Sequence, residues 1–237
     1  MISSKLFDPN DYKDIRYASM KRYFESWWNI LQLEDVHFTY SSLNRAWEYA
    51  QVVTSIPEWN NKIVLDLGAS ASLFEVFVAR MLGSDVTTID NDPERIRQQL
   101  RLHFATRVNV RVVQADIQKP FDDTYLSGSG ISDGEYDIVT SFSVIEHLTD
   151  LRSLVSEMKR VCKKGGYIGI TTDFAPDIPD VKKSGTTFNK QQMLNLIEMF
   201  NLPIVGESDY ENVDVTKPEN LAVDGIYTFA SLVMQNI

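Results

Sequence analysis

The chain has one cysteine, Cys162, among 237 residues, which excludes an intrachain disulfide and a cysteine-based zinc site and fits a reducing compartment. Long apolar runs are also missing: no stretch approaches the ~20 residues of a membrane span. At the N-terminus, Met1-Ile-Ser-Ser-Lys-Leu-Phe-Asp8 meets an acidic residue before a signal-peptide core can form. The expected location is the cytoplasm, with no membrane partner. Basic charge is scarce, with 23 Lys and Arg against 33 Asp and Glu and a net charge of −10. The surplus acid sits in residues 116–137 and 205–224, each with a net of −5. No basic patch of the kind that grips a phosphate backbone stands out, so nucleic acid is not an expected partner. Internal repeats and low-complexity segments are absent too.

What remains is an ordinary soluble composition, 43% hydrophobic and 24% charged, able to bury a core. The length suits one large domain with a small appendage. Residues 1–60 hold 12 of the 26 aromatics and all four tryptophans, Trp27, Trp28, Trp47 and Trp59. Within them Leu43, Ala46, Trp47, Ala50 and Val53 keep the spacing of one buried helical face. Ser41 or Ser42 is the expected cap of that helix, and Pro57 lies beyond its end. This N-terminal helical extension is expected either to cover an acceptor site as an aromatic lid or to pack on the sheet or a second copy.

Residues 61–237 alternate short β-branched runs with amphipathic helical stretches. The expected strands are 63–66, 86–90, 108–114, 136–141, 167–172, 204–207 and 227–234. Ser72-Leu-Phe-Glu75 reads as a capping box and Asp92-Pro93 as an N-cap with proline at the first helical position. The stripe Leu151, Leu154, Val155, Met158, Val161 is expected to end at Gly165-Gly166. Asn189-Lys-Gln-Gln192, flanked by Phe188 and Met193, starts the last helix with a box and a staple. Apolar strands separated by helices imply a mostly parallel sheet covered on both faces. The last two strands have no helix between them, so the final one should run antiparallel. The expected fold is an α/β, Rossmann-like, doubly wound seven-stranded sheet with an antiparallel final strand, plus the N-terminal helical, aromatic-rich extension.

In such sheets ligands sit outside the carboxyl ends of the strands, where strand order reverses. The residues just after each expected strand are Asp66-Leu-Gly68-Ala-Ser70-Ala-Ser72, then Asp90, then Asp116-Ile117, then Ser141-Phe-Ser143-Val-Ile-Glu146-His147. A small loop at a helix N-terminus, followed 24 residues after Asp66 by the acid Asp90, marks a site for a ribose-bearing cofactor. The acid accepts from ribose hydroxyls, and the helix N-terminus favours an anionic group. A nicotinamide site fits poorly, because its Gly-x-Gly-x-x-Gly appears here as Gly-x-Ser-x-x-Leu.

The ordered set Val64-Leu-Asp-Leu-Gly68, Thr88-Ile-Asp90, Ala115-Asp116-Ile117, Tyr136-Asp-Ile-Val139, Val144-Ile-Glu-His-Leu148 and Arg160-Val-Cys-Lys-Lys-Gly-Gly166 resembles class I S-adenosylmethionine-dependent methyltransferases, closely over about residues 60–172. The resemblance implies S-adenosylmethionine as cofactor and S-adenosylhomocysteine as product. It implies that Asp66 and the Gly68–Ser72 loop, with Ala69 and Ser70, hold the methionine moiety. Asp90, beside Asn91, would take the ribose hydroxyls, and Asp116 the adenine amino group, with Ile117 on the ring. Phe142 and Ser143 would approach the methionine portion and the transferred methyl, and Ser141 is a further expected cofactor-binding residue. Turn-forming roles for Asp66 and Asp116 stand as the alternative. The chain departs from the family at Ser70 and Ser72, where glycine is usual. A non-catalytic binding protein with a degenerate loop is therefore the second functional reading.

The expected activity is methyl transfer to a hydroxyl or amine of a small molecule, by a monomer or homodimer. His147, Glu146 and His37 are the candidate acid–base residues, histidine being the side chain that titrates nearest neutrality. The alternative for Glu146-His147 is that it fixes a loop. His103, in an arginine-rich helix, is expected to be solvated, and Asp173 to face the crevice. Some quinone-pathway O-methyltransferases carry a Glu-x-x-Glu-His metal motif at this point. Here Ser143 replaces the first Glu, and no required metal is expected. The segments Thr171-Thr-Asp-Phe174, Thr187-Phe-Asn189 and Tyr227-Thr-Phe229 are similar to methyltransferases of saccharide pathways, so a sugar is among the expected acceptors.

Overall fold

The computed structural model describes residues 2–33, 45–121, 130–175, 187–217, 220–222 and 227–237. The chain opens with strand β1 (Ile2–Lys5) and helices α1 (Ile15–Leu33) and α2 (Arg45–Ser55). The expected cap at Ser41 or Ser42 lies outside the described residues. Then come β2 (Ile63–Leu67), α3 (Phe74–Met81), β3 (Asp85–Asp90), α4 (Pro93–Thr106) and β4 (Val110–Gln114). The second half holds β5 (Tyr136–Phe142), α5 (Leu151–Val161), β6 (Cys162–Phe174), α6 (Lys190–Phe200), β7 (Glu207–Asp209) and β8 (Thr228–Gln235).

Six strands form the main sheet in the order β4-β3-β2-β5-β6-β8. All neighbours run parallel except β6 and β8, which are antiparallel. The expected seventh strand does not form as such. Pro203 has no amide to donate, and only Ile204 bridges β8, at Met234. Gly206 then takes a φ of +71°, and the chain leaves the sheet. Glu207–Asp209 pairs instead with β1 in a small parallel ribbon.

Helix starts follow the local chemistry. Asp92 accepts from the Glu94 N–H, with Pro93 opening α4, and Asn189 and Gln192 form the expected reciprocal box at α6. Two expectations are corrected. Ser72 and Glu75 do not exchange backbone N–H groups. The Ser72 hydroxyl donates directly to the Glu75 carboxylate and accepts from the Phe74 N–H at 3.2 Å. Glu75 is drawn inward because its other oxygen accepts from Gln99 Nε2 at 3.1 Å. Helix α5 stops at Val161 rather than at Gly165-Gly166, and Cys162 already belongs to β6. Gly166 lies within that strand, where a Cβ would come 2.7 Å from the Asp137 carbonyl oxygen.

The sheet separates two apolar layers. On one face Leu65, Leu67, Val139 and Ile170 meet Leu154, Met158, Met193 and Leu196 from α5 and α6. On the other Val64, Ile138, Phe229 and Val233 meet α2, α3 and aromatics of the first 60 residues. Trp47 is wholly buried there, its indole N–H donating to Asp11 at 2.7 Å and its ring edge-on to Phe7 at 5.5 Å. Helix α2 lies close on β6 because Gly169 has no side chain: a Cβ would stand 2.5 Å from Val52 Cγ1. Gly169→Ala is therefore expected to cost about 1–3 kcal/mol in chemical denaturation. Val52→Ala in the same chain should recover part of that loss, and full loss without recovery would mean that α2 does not set the spacing.

Candidate active site

A cavity of ≈ 520 Å³ opens at the carboxyl ends of β2, β3, β4 and β5, within the roughly 300–1,000 Å³ of small-molecule sites. Strand order reverses here: β3 and β4 lie to one side of β2, and β5 and β6 to the other. Helix α3 leaves β2 toward one apolar layer, whereas α5 follows β5 into the other. The gap between the departing loops is the cavity.

The loop after β2 turns through two left-handed residues, Gly68 at φ +69° and Ser70 at φ +51°. Gly68 passes so close to the β5 loop that a Cβ would lie 2.6 Å from Val144 Cγ2. The Gly68 N–H donates to the Ile89 carbonyl at 2.8 Å, and the Ser70 N–H to Asp90 Oδ2 at 3.0 Å. Asp90 Oδ1 accepts from the Asp92 N–H at 2.9 Å. One buried carboxylate thus ties together the loops after β2 and β3. Each of its oxygens keeps a lone pair for a ligand hydroxyl.

Beneath this, Asp66 is 1% exposed and accepts from Thr140 Oγ1 at 2.8 Å. Burial pushes its carboxyl well above the usual range, and the nearby Glu75 and Asp90 charges add to the effect. Asp116 Oδ1 accepts from the Gln118 N–H at 3.0 Å, so it both shapes a turn and faces the cavity. Ala69, Asn91 and Ile117 complete this end.

At the opposite end Phe142 lies 4.4 Å from Phe74 and 5.0 Å from Tyr49, centroid to centroid. Tyr49 and Arg45 reach the cavity from α2, and Ser143, at φ +50°, presents its side chain beside them. The Ser143 hydroxyl lies 2.7 Å from Glu48 Oε2 and 3.2 Å from Asp173 Oδ1. Glu48 is fully buried, accepts from the Thr171 hydroxyl and pairs with Arg45 at 3.0 Å. Burial raises the pKa of Glu48 and of Asp173.

Of the candidate site residues, Asp66, Gly68, Ala69, Ser70, Asp90, Asn91, Asp116, Ile117, Phe142 and His147 share the one cavity. Ser141 does not face it. Its hydroxyl donates to the Leu67 carbonyl at 3.1 Å, because alternation along β5 turns it into the sheet. Glu146 is also turned away, accepting from Thr172 Oγ1 at 3.1 Å and the Asp173 N–H at 3.2 Å. It fixes the loop to β6, and burial, helped by Asp173, pushes it up to about 8. His147 is exposed on the rim, its pKa lowered by desolvation and by Arg95 and Arg45. His37 lies outside the described residues. His103 is not solvated as expected: it is 5% exposed, with Nε2 3.6 Å from Glu75 Oε1. It shares the inner face of α4 with Gln99, Leu102 and Thr106, while the arginines take the outer one.

Sequence reasoning missed Arg45, Glu48 and Tyr49. The available signal was a charged i, i+3 pair, Arg45 and Glu48, set among the apolar positions of the N-terminal helix. Among the described residues no group of three or more His, Cys, Asp or Glu is arranged to hold a metal, and no helix is long and apolar enough to cross a membrane.

Residues 65–170 match a family described as a methyltransferase domain. A ubiquinone biosynthesis O-methyltransferase of Erwinia tasmaniensis is 32% identical over 112 residues, 47% of this chain and 42% of that protein. The chain thus spans about two fifths of the length of the curated relatives it matches. Among solved structures, geranyl diphosphate C-methyltransferase from Streptomyces coelicolor A3(2) is similar with a TM-score of 0.64 at 12% identity, over 94% of this chain and 99% of that one. The cyclase SpnF reaches 0.64 at 15% identity over 83% of each chain. At such identities these structures speak for the fold alone.

Two outcomes follow from the site's geometry. Ser70→Gly relieves a left-handed serine, so the unfolding free energy should rise by about 0.5–1 kcal/mol; a loss in thermal denaturation would contradict the strained loop. Glu146 is protonated in the fold and ionised in the unfolded chain between 4.5 and about 8, so its contribution is complete below that window and fades as pH rises through it. Compared with Glu146→Gln, the wild-type protein should lose stability between pH 5 and 9, by on the order of a few kcal/mol. Parallel melting curves across that range would contradict the buried, proton-bearing carboxyl.

Proposed function

We propose that residues 65–170, which match a methyltransferase-domain family, form a class I S-adenosylmethionine-dependent methyltransferase domain, and that the chain binds S-adenosylmethionine in the cavity and transfers its methyl group to a hydroxyl or amine of a small molecule. The observation that carries this reading is Asp90, a buried carboxylate anchored by the Ser70 and Asp92 N–H groups with lone pairs left toward the cavity. The donor set fits the cofactor. Asp90, with Asn91 beside it, suits a ribose diol, Asp116 suits an amino group, and Ile117 offers an apolar face. Asp66 and the Gly68–Ser70 turn suit the amino-acid end, where a cationic ligand offsets the burial that pushes the Asp66 carboxyl well above its usual range.

S-adenosylmethionine supplies an electrophilic methyl group on a sulfonium and leaves as S-adenosylhomocysteine. The protein's part is orientation and exclusion of water. Tyr49 and Phe142 wall the end we assign to the acceptor, which supports a lid role for the N-terminal extension. These walls, and relatives named for ubiquinone biosynthesis, favour an aromatic hydroxyl; they give no support to a saccharide. Among the described residues His147 on the rim can take a proton, and Ser143 on the inner wall can pass one to the carboxyls hydrogen-bonded to it. The second reading, a binding protein without turnover, loses weight because the Ser72 hydroxyl turns to Glu75 and Ser70 keeps the left-handed path of a glycine.

Titration calorimetry tests the assignment. The wild-type protein should bind S-adenosylmethionine and S-adenosylhomocysteine, and Asp90→Ala should weaken both by at least about tenfold, the scale of ~1.4 kcal/mol. A folded Asp90→Ala protein with affinity within a few-fold of wild type would displace the cofactor from this cavity.

A further inference from the structure

We propose that the proton of the methyl acceptor leaves inward, through the Ser143 hydroxyl to the carboxyls of Glu48 and Asp173, and not outward to His147. The inference rests on the methyl-transfer reading above and deepens it. Of the three inner groups only Ser143 reaches the cavity. Behind it stand two carboxyls, at 2.7 and 3.2 Å from one hydroxyl, which has a single proton to donate. The pair thus has room for one more.

The surroundings favour that proton. From α2 come Arg45, Glu48 and Tyr49; from the segment after β5, Glu146 and His147; from β6, Asp173; and just ahead of β8, Tyr227, which hydrogen-bonds Asp173. Arg45 balances one carboxylate, at 3.0 Å from Glu48. With Glu146 neutral, pushed up to about 8, one uncompensated negative charge remains beside the cavity. Burial raises both Glu48 and Asp173 toward accepting a proton. On the rim the balance is opposite, since Arg45 and Arg95 oppose a charged His147.

In the transfer the acceptor O–H bond breaks as its oxygen bonds the methyl carbon and the carbon–sulfonium bond breaks. The acceptor proton passes to Ser143 Oγ while Ser143 passes its own to a carboxylate. The positive charge lost at sulfur is matched by the negative charge lost at the carboxyl pair, so the buried site stays balanced. Ser143 is the residue that would touch the acceptor; Glu48 and Asp173 act through it.

This balance is testable without knowing the acceptor. Calorimetry in two buffers of different ionisation enthalpy counts the protons taken up on binding. S-adenosylhomocysteine, which lacks the sulfonium charge, should draw in more protons than S-adenosylmethionine, by up to about one near neutral pH. Glu48→Gln and Asp173→Asn should each erase the difference, and His147→Ala should keep it. If one carboxyl variant fails to fold, the other decides. A difference that survives both carboxyl variants and vanishes in His147→Ala would overturn the proposal, as would no difference in the wild-type protein. If neither compound binds the wild-type protein, the methyl-transfer reading falls and takes the proposal with it.

Discussion

Where β2 and β5 lie side by side, their chains leave for opposite faces of the sheet, so neither can fill the space the other vacates. The backbone approach of Gly68 to Val144 sets how nearly the gap closes, since any Cβ at 68 would strike the valine. That approach also aims the turn. With Gly68 and Ser70 both left-handed, the Ser70 N–H reaches Asp90, and Asp90 in turn holds the start of α4 through Asp92. The other features of the cavity depend on this crossing.

The cavity and the layer directly behind it hold carboxyls whose burial is costly. Asp66 is buried with no cation paired to it among the described residues, and burial pushes its carboxyl up. Glu48 and Asp173 share one arginine and one serine hydroxyl. Buried carboxyls are costly unless paired, and residues that break the local logic of folding gather where ligands bind. A cationic ligand relieves the cost at both ends of the cavity. The strained, acidic walls thus argue for the same class of ligand as the family match, and independently of it.

Much of this was legible in the sequence because it lies at or just beyond the carboxyl ends of strands. Asp66, Asp90 and Asp116 each follow a β-branched run, and strand order alone makes them neighbours. Legibility failed where facing rather than position decides. Ser141 and Phe142 are adjacent, yet alternation sends one into the sheet and the other to the cavity. Glu146 and His147 also divide, the short 3-10 turn at Ile145–His147 burying one against β6 and leaving the other exposed. His103 was hidden by the arginines around it, though it sits four residues from Gln99 on the inner face of α4. Glu48 was hidden by habit, because a glutamate on a helix is ordinarily solvated; only the packing of α2 on Gly169 shows it buried. Ile204–Glu207 failed as a main-sheet strand because Pro203 and Gly206 let one bridge form and then redirect the chain.

The N-terminal layer completes the cavity rather than merely covering a finished sheet. Trp47 anchors α2 in the core, and its neighbours Arg45 and Tyr49 are thereby held at the Phe142 end of the cavity, with Glu48 buried behind them. A crystal structure with S-adenosylhomocysteine bound would show whether the crossing at Gly68 builds a cofactor site. The ribose hydroxyls should lie on Asp90 and the adenine between Asp116 and Ile117. Ligand density elsewhere on the molecule, with this cavity holding only solvent, would contradict this placement.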